Sequence, residues 1–149
     1  MFVLLSFLLG TAHAENVNQI AAGSWASAGV PFPGGTSTRY NIWVDVAIYN
    51  LAYDKNVGIR WTDDNWATSH DAAAWYEGSL GGGWEQWGVD IAPLGALATE
   101  PGAMKWANRY GSTRYVTGPV TIDYAVYYRA AGGEWWDNNG GANYHLTLW

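Results

Sequence analysis

The chain has 149 residues, of which 49% are hydrophobic and 13% are charged, and seven Lys and Arg against thirteen Asp and Glu give a net charge of −6. This length predicts one domain with a sizeable core. The acidic balance argues against nucleic acid or an anionic membrane as partner, because both favour basic surfaces. The absence of cysteine excludes a disulfide framework, a cysteine nucleophile and thiolate zinc sites. Eleven Trp and ten Tyr exceed what such a core requires, so some are expected to be binding platforms.

The first 38 residues differ in composition from the rest of the chain. Residues 1–14 are an apolar run ending in Ala12-His13-Ala14, the small-x-small pattern that precedes a signal-peptidase site. The run is too short for a stable membrane anchor. We therefore predict a signal peptide and a secreted product, extracellular or periplasmic, although the run lacks basic residues and a buried N-terminal strand is the alternative. Residues 15–38, rich in Gly, Ser and Pro, predict a leader or linker with at most one edge strand.

Residues 39–149 show the period-two alternation of β-strands. Predicted strands begin near Tyr40, Val57, His70, Trp84, Val120, Glu134 and Tyr144. Residues 92–118 contain two prolines and predict a long loop with at most a helical turn. Seven or eight short strands at this spacing are typical of an all-β, antiparallel, immunoglobulin-like β-sandwich.

Two segments carry a family signature. The first, Asn50–Trp66, reads NLAYDKNVGIRWTDDNW, and the second, Trp135–Tyr144, reads WWDNNGGANY. Together they resemble the family 21 carbohydrate-binding modules, the starch-binding domains of fungal glucoamylase and the glycogen-targeting subunits of protein phosphatase 1. The resemblance covers residues 40–149 and implies a β-sandwich that binds α-1,4-glucans without catalysis.

The resemblance also implies site residues. One sugar site is expected at the positions Trp66, Trp136, Asn138 and Asn143. A second site is expected near Tyr53 and Lys55. The structural alternatives are that Tyr53 is a core residue at a strand end and that Lys55 is a solvated charge at a sheet edge.

The chemistry of these residues suits a sugar. A pyranose ring has an apolar face that stacks on indole, worth about 2 kcal/mol per platform. The amides of Asn138, Asn139 and Asn143 donate and accept hydrogen bonds, as sugar hydroxyls do. Asn also stabilises turns, so each of the three has a structural alternative.

Adjacent strand residues face opposite sides, so only one of Trp135 and Trp136 reaches a given surface, and the resemblance selects Trp136. Where some family members carry a further aromatic residue or Asn, this chain has Ala125 and Gly140. Tyr127, Trp135 and Trp75 are nearby substitutes. Trp43, Trp61, Trp84 and Trp87 are predicted to be core or sheet-face residues.

Other functions have weaker sequence support. A small glycosidase needs a pair of carboxylates across a cleft, and no motif specifies such a pair; Asp137 is expected to fix the turn that aims Trp136. A calcium site at Asp54, Asp63 and Asp64 lacks the loop signature, and His70 and His145 have no metal-ligand spacing. A secreted lectin-like module for another glycan remains open. A phosphatase regulator is a further alternative, but this chain lacks an Arg-Val-x-Phe motif.

We predict a non-enzymatic domain without metal or cofactor, whose partners are a starch-like or glycogen-like polysaccharide and a separate glycoside hydrolase.

Overall fold

The computed structural model describes residues 15–27, 29–32 and 35–149, and the predicted signal peptide lies outside these ranges. Twelve strands form in the described part of the chain. In chain order they are β1 (Val17–Ala26), β2 (Val30–Phe32), β3 (Gly35–Tyr49), β4 (Lys55–Thr62), β5 (His70–Ala73), β6 (Trp75–Gly81), β7 (Trp84–Glu100), β8 (Ala103–Asn108), β9 (Thr113–Val116), β10 (Val120–Ala130), β11 (Gly133–Asp137) and β12 (Tyr144–Leu148). No helix in these ranges is long and apolar enough to cross a membrane.

The strands form two antiparallel sheets. The larger, seven-stranded sheet has the order β1-β3-β7-β8-β9, with β2 paired to β3 and β6 to β7. The smaller, five-stranded sheet has the order β11-β10-β4-β5, with β12 also paired to β10. Because β11 and β12 follow one another along the same edge of β10, the turn between them lies midway along that edge. The predicted all-β sandwich is confirmed, with more strands than the seven or eight expected.

The core lies between the sheets and follows the alternation seen in the sequence. On each central strand, every second residue points inward and is buried. The buried residues include Ile42, Val44, Val46 and Ile48 on β3, Val57, Ile59 and Trp61 on β4, and Ile122, Tyr124, Val126 and Tyr128 on β10. The residues between them point outward, although Ala125 and Tyr127 of β10 are also buried by their neighbours.

The segment predicted as a leader or linker contains a long strand of the sandwich. Val17–Ala26 pairs with β3 and forms an edge of the larger sheet. Its small residues do not show the usual alternation of a strand, because they leave room for side chains of β3. A Cβ on Gly23 would lie 2.8 Å from the indole Nε1 of Trp43. The large side chain therefore comes from β3 and the small one from β1.

The prediction of a long loop over residues 92–118 is wrong. β7 continues to Glu100, and β8 and β9 extend the sheet beyond it. Pro93 does not end the strand because it lies beside a register shift between Tyr40 and Ile42 of β3. A proline is tolerated at a bulge, where its missing N–H breaks no regular ladder bond.

The buried carboxylate of Asp137 joins the two sheets to the turn after β11. It accepts hydrogen bonds from the Gln19 amide (2.7 Å), the Asn139 amide (3.1 Å) and the Tyr144 hydroxyl (2.8 Å). Gln19 lies on β1 of the larger sheet, whereas Tyr144 begins β12 of the smaller one. The expectation that Asp137 fixes this turn is confirmed.

We expect Asp137→Asn to lower the free energy of unfolding by about 2–3 kcal/mol. The new amide group would place its own N–H groups against donors that now point at a carboxylate. Urea denaturation measures the effect, with the exposed Glu15→Gln as the charge-matched control. A loss below about 0.5 kcal/mol, the size of an ordinary surface change, would contradict this role.

Candidate functional site

Trp66 lies in a tightly bonded loop between β4 and β5. Its amide donates to the Thr62 hydroxyl (3.0 Å), and Asp64 accepts bonds from the amide (2.9 Å) and hydroxyl (2.6 Å) of Thr68. Asn65 and Trp66 have φ angles of 57° and 70°. Such angles are uncommon for a bulky residue and persist only where surrounding bonds hold the backbone. The loop thus fixes Trp66 with 37% of its surface exposed.

The charge of Asp64 is stabilised within this loop. Burial alone would raise the pKa of Asp64, but the hydrogen bonds from Thr68 and Thr62 and the charge of Arg114 outweigh it, and the pKa is about 2. The loop therefore keeps its carboxylate ionised over the whole range of physiological pH.

Trp136 faces outward from the smaller sheet, as predicted, while Trp135 packs toward the core against Tyr128 at 5.5 Å. The ring of Trp136 is half-buried beside Tyr127, with 5.6 Å between their centroids. The guanidinium groups of Arg60 and Arg129 lie over it at 5.2 and 5.9 Å. Trp136 thus shares its surroundings with two cations and is less open than Trp66.

The two tryptophans occupy different positions along the smaller sheet. Trp136 pairs with Tyr127, which pairs with Gly58, whereas the Trp66 loop starts after Thr62, about 13 Å further along β4. Between these levels the outer face carries Ala125 and its register partner Arg60. Arg60 forms a two-bond ion pair with Asp71 at 2.7 and 3.0 Å. The ion pair holds the Arg60 guanidinium group next to Ala125 on this face.

The asparagines of the β11–β12 turn divide their roles. Asn138 Oδ1 accepts a bond from the Gly141 amide (3.0 Å), and Asn139 Nδ2 donates to the Asn143 carbonyl (3.1 Å). Both therefore serve the turn. The Asn143 side chain makes no hydrogen bond to another described residue, and Asn138 Nδ2 donates to none, so these two groups are available to a ligand.

A cleft of about 690 Å³ opens at the other predicted location. Its walls are the segment 50–55, which includes Tyr53 and Lys55, together with Tyr76, Glu85 and Trp87. Tyr53 is 96% exposed, so it is not a core residue. The Lys55 side chain is only 6% exposed and pairs with Glu85 at 3.5 Å, so it is not a solvated charge either.

Sequence reasoning missed three residues of this cleft. Tyr76 and Glu85 were not considered as site residues, and Trp87 was assigned to the core or a sheet face. Trp87 meets Tyr76 edge-on at 5.9 Å and donates its indole N–H to Glu85 at 3.1 Å. Glu85 and Trp87 point to the same side of β7 as the core residues Val89 and Ile91. They lie near the start of the strand, where they line the cleft. Their alternation gave no signal of this position.

The alternative metal site does not assemble in the described ranges. Asp63 is buried and accepts bonds from Trp106 Nε1 (2.7 Å) and Asn108 Nδ2 (3.1 Å), so it links the two sheets. No group of three or more His, Cys, Asp or Glu side chains within these ranges is placed to share a metal ion. His70 stacks on Tyr110 at 4.1 Å.

Comparison with known proteins gives the class of this domain. Residues 36–147 match the model of the carbohydrate/starch-binding module, family 21, and the chain belongs to this family. Its predicted resemblance to that family is thereby confirmed.

Individual relatives are more distant. Protein phosphatase 1 regulatory subunit 3E is 34% identical in Mus musculus and 33% identical in Homo sapiens over 101 residues, covering 66% of this chain. The chain spans 28% of the length of these relatives. Among solved structures, the starch-binding domain of Rhizopus oryzae glucoamylase, in complex with β-cyclodextrin and maltoheptaose, has 19% identity and a TM-score of 0.45, covering 83% of this chain and 92% of that one. The carbohydrate-binding module of the muscle glycogen-targeting subunit of protein phosphatase 1 has 20% identity and a TM-score of 0.44, covering 84% and 74%.

The prediction of secretion is wrong. The curated relatives are protein phosphatase 1 regulatory subunits, which are intracellular proteins. The apolar run that suggested export also lacks the basic residues with which a secretory signal begins.

The bonds of Asp64 predict a defined pH dependence of stability. Because its folded pKa of about 2 lies below the ordinary value of 3.8, Asp64 stabilises the fold above about pH 4, and this contribution is lost as the pH falls towards 2. Urea denaturation should therefore show a stability gap between the wild type and Asp64→Asn at pH 5.5 that narrows at pH 2.5. Asp54→Asn, in an exposed loop, serves as the control. An equal gap at both pH values would refute the assignment.

Proposed function

We propose that this domain binds α-1,4-glucan of the starch or glycogen type at two places, the cleft beside Tyr53 and the outer surface that carries Trp66 and Trp136. Family membership supports carbohydrate binding in general. The names of the relatives, which include a starch-binding domain and a glycogen-targeting subunit, support this class of glucan.

The cleft beside Tyr53 is the observation that carries the proposal. Two exposed phenol rings, Tyr53 and Tyr76, stand at a concave surface large enough for a short oligosaccharide. Asn50, Lys55 and Glu85 add hydrogen-bonding groups for sugar hydroxyls. Since Glu85 already holds Lys55 and Trp87, these polar groups are positioned before a ligand arrives, which lowers the entropic cost of binding.

The second surface uses the indole of Trp66, the amide of Asn143 and the ring of Trp136, which lie at different levels along the smaller sheet. Arg60 offers hydrogen-bond donors where the aromatic residue of other members is missing. Stacking on one or two rings, with a few hydrogen bonds, gives an affinity in the micromolar to millimolar range.

The proposed function is binding without catalysis. Each carboxylate considered for a hydrolytic pair already accepts a hydrogen bond from another side chain or a backbone amide. They are Asp63, Asp64, Glu77, Glu134 and Asp137. Membership of a carbohydrate-binding module family supports binding rather than hydrolysis.

We also propose a targeting role for this domain, which would bring a partner enzyme to glucan. The relatives favour a protein phosphatase over the glycoside hydrolase predicted from sequence. The 149 residues contain no Arg-Val-x-Phe motif, so a phosphatase contact of that type would use residues outside this sequence.

We expect Tyr53→Ala to weaken maltoheptaose binding at the cleft by about fivefold to tenfold, because a stacked ring contributes about 1–1.5 kcal/mol. Isothermal titration calorimetry gives affinity and the number of sites together. Tyr115→Ala, also exposed but on β9, is the matched control and should bind like the wild type. Unchanged binding by Tyr53→Ala would remove the cleft from the proposal.

At the second surface, Trp66→Ala and Trp136→Ala should each weaken binding by about tenfold while the domain stays folded. Trp135→Ala is the adjacent control: it should lower the free energy of unfolding by about 3 kcal/mol, because its ring packs on the core. If Trp136→Ala unfolds the domain in the same way, Trp136 is a core residue and the surface is misplaced.

A further inference from the structure

The outer face of the larger sheet carries an acidic and aromatic patch that the glucan sites do not use. It consists of Trp43, Asp45, Trp75, Glu77 and Asp90, and we call it the acidic-aromatic face. Pairing brings these residues together: Trp43 is the register partner of Asp90, and Gly88 is the partner of both Asp45 and Trp75. The five residues therefore lie side by side across β3, β7 and β6.

Two glycines shape this face. A Cβ on Gly88 would collide with the carboxylate of Glu77, which shows that Glu77 folds across β7 toward Asp45. Gln86 Nε2 holds that carboxylate with a 3.0 Å hydrogen bond. Gly23 lets the indole of Trp43 lie flat on β1, since Nε1, Cε2 and Cζ2 would all lie within 2.9 Å of a Cβ there. One face of Trp43 is thus against the sheet and the other points away from it.

The three carboxylates have no cation. No ion pair among the described residues involves Asp45, Glu77 or Asp90. Burial, with the charges of Glu77 and Asp90, raises the pKa of Asp45. The positions outside the described ranges contain neither Lys nor Arg, so they supply no further Lys or Arg side chain for these carboxylates.

We infer that the acidic-aromatic face docks a segment of a partner protein that carries Arg or Lys side chains. A guanidinium or ammonium group would relieve the repulsion among the carboxylates and stack on an indole, because both carboxylates and aromatic faces attract cations. Trp75 is 46% exposed and lies next to the carboxylates, so one cation could contact both the indole ring and a carboxylate. A neutral glucan would satisfy the rings but leave the three charges uncompensated.

This inference goes beyond the glucan-binding function and concerns a different face. The cleft beside Tyr53 and the surface of Trp66 and Trp136 contain none of its five residues. Binding of a neutral glucan should change little with salt, whereas docking of a basic segment at the acidic-aromatic face should weaken as salt screens the charges. The two functions can therefore fail separately.

The test uses the full chain and a fluorophore-labelled hexa-arginine peptide, with binding measured by fluorescence anisotropy at low and at physiological salt. The double variant Asp45→Asn/Asp90→Asn should bind the peptide at least about fivefold more weakly than Glu15→Gln/Glu100→Gln, which removes the same charge elsewhere. Trp75→Ala should weaken binding by about twofold to fivefold, and Tyr115→Ala should not.

Two further readouts separate docking from a structural role of the patch. Asp45→Asn/Asp90→Asn should raise the melting temperature, because it removes repulsion between like charges. The same variant should bind maltoheptaose with unchanged affinity in calorimetry.

Three outcomes would overturn the inference. Equal losses in both double variants would show general attraction to an acidic protein. Displacement of the peptide by maltoheptaose would show that a neutral sugar occupies the face. A dimer of the wild type that Asp45→Asn/Asp90→Asn abolishes would show that the occupant is a second copy of this chain.

Discussion

One buried carboxylate, that of Asp137, connects the fold to its binding surface. It accepts a backbone hydrogen bond from β1 in one sheet and a hydroxyl bond from β12 in the other, and it also fixes the start of the turn between β11 and β12. These bonds anchor the backbone that follows Trp136 and begins the asparagine-rich turn. A buried carboxylate without a cation is costly unless several donors satisfy it, and here the donors come from three parts of the fold.

Polar groups also hold aromatic residues in place at the two proposed glucan surfaces. Thr62 and Asp64 hold the strained backbone of Trp66, while Glu85 holds both Lys55 and Trp87 in the cleft. In each case a carboxylate or hydroxyl group supports an aromatic residue. A rigid platform loses little entropy when a flexible oligosaccharide binds, which suits weak ligands that make few contacts.

The two outer faces of the sandwich differ in their electrostatics. On the smaller sheet, Arg60 and Arg129 are paired with Asp71 and Glu134, so the surface near Trp136 is locally neutral. On the larger sheet, the acidic-aromatic face has no described cation. A neutral aromatic surface fits an uncharged polysaccharide, and an uncompensated acidic one fits a basic protein segment. One small domain would in this way bring two kinds of ligand together on opposite sides.

The sequence by itself determined the all-β architecture and the opposite orientations of Trp135 and Trp136, because alternation along a strand is a local property, and its resemblance to a family selected Trp136 as the outward ring. It allowed one edge strand within residues 15–38 without showing that β1 belongs to the sandwich, and it missed β8 and β9. The small residues of β1 leave room for Trp43 on a neighbouring strand, and Pro93 lies at a bulge, where a proline is tolerated. Tertiary structure alone decided that Tyr53 is exposed, that Lys55 is buried against Glu85, and that Glu77 folds over Gly88 beside Asp45. Each of these contacts joins residues from different strands, and strand pairing fixes them where local pattern cannot.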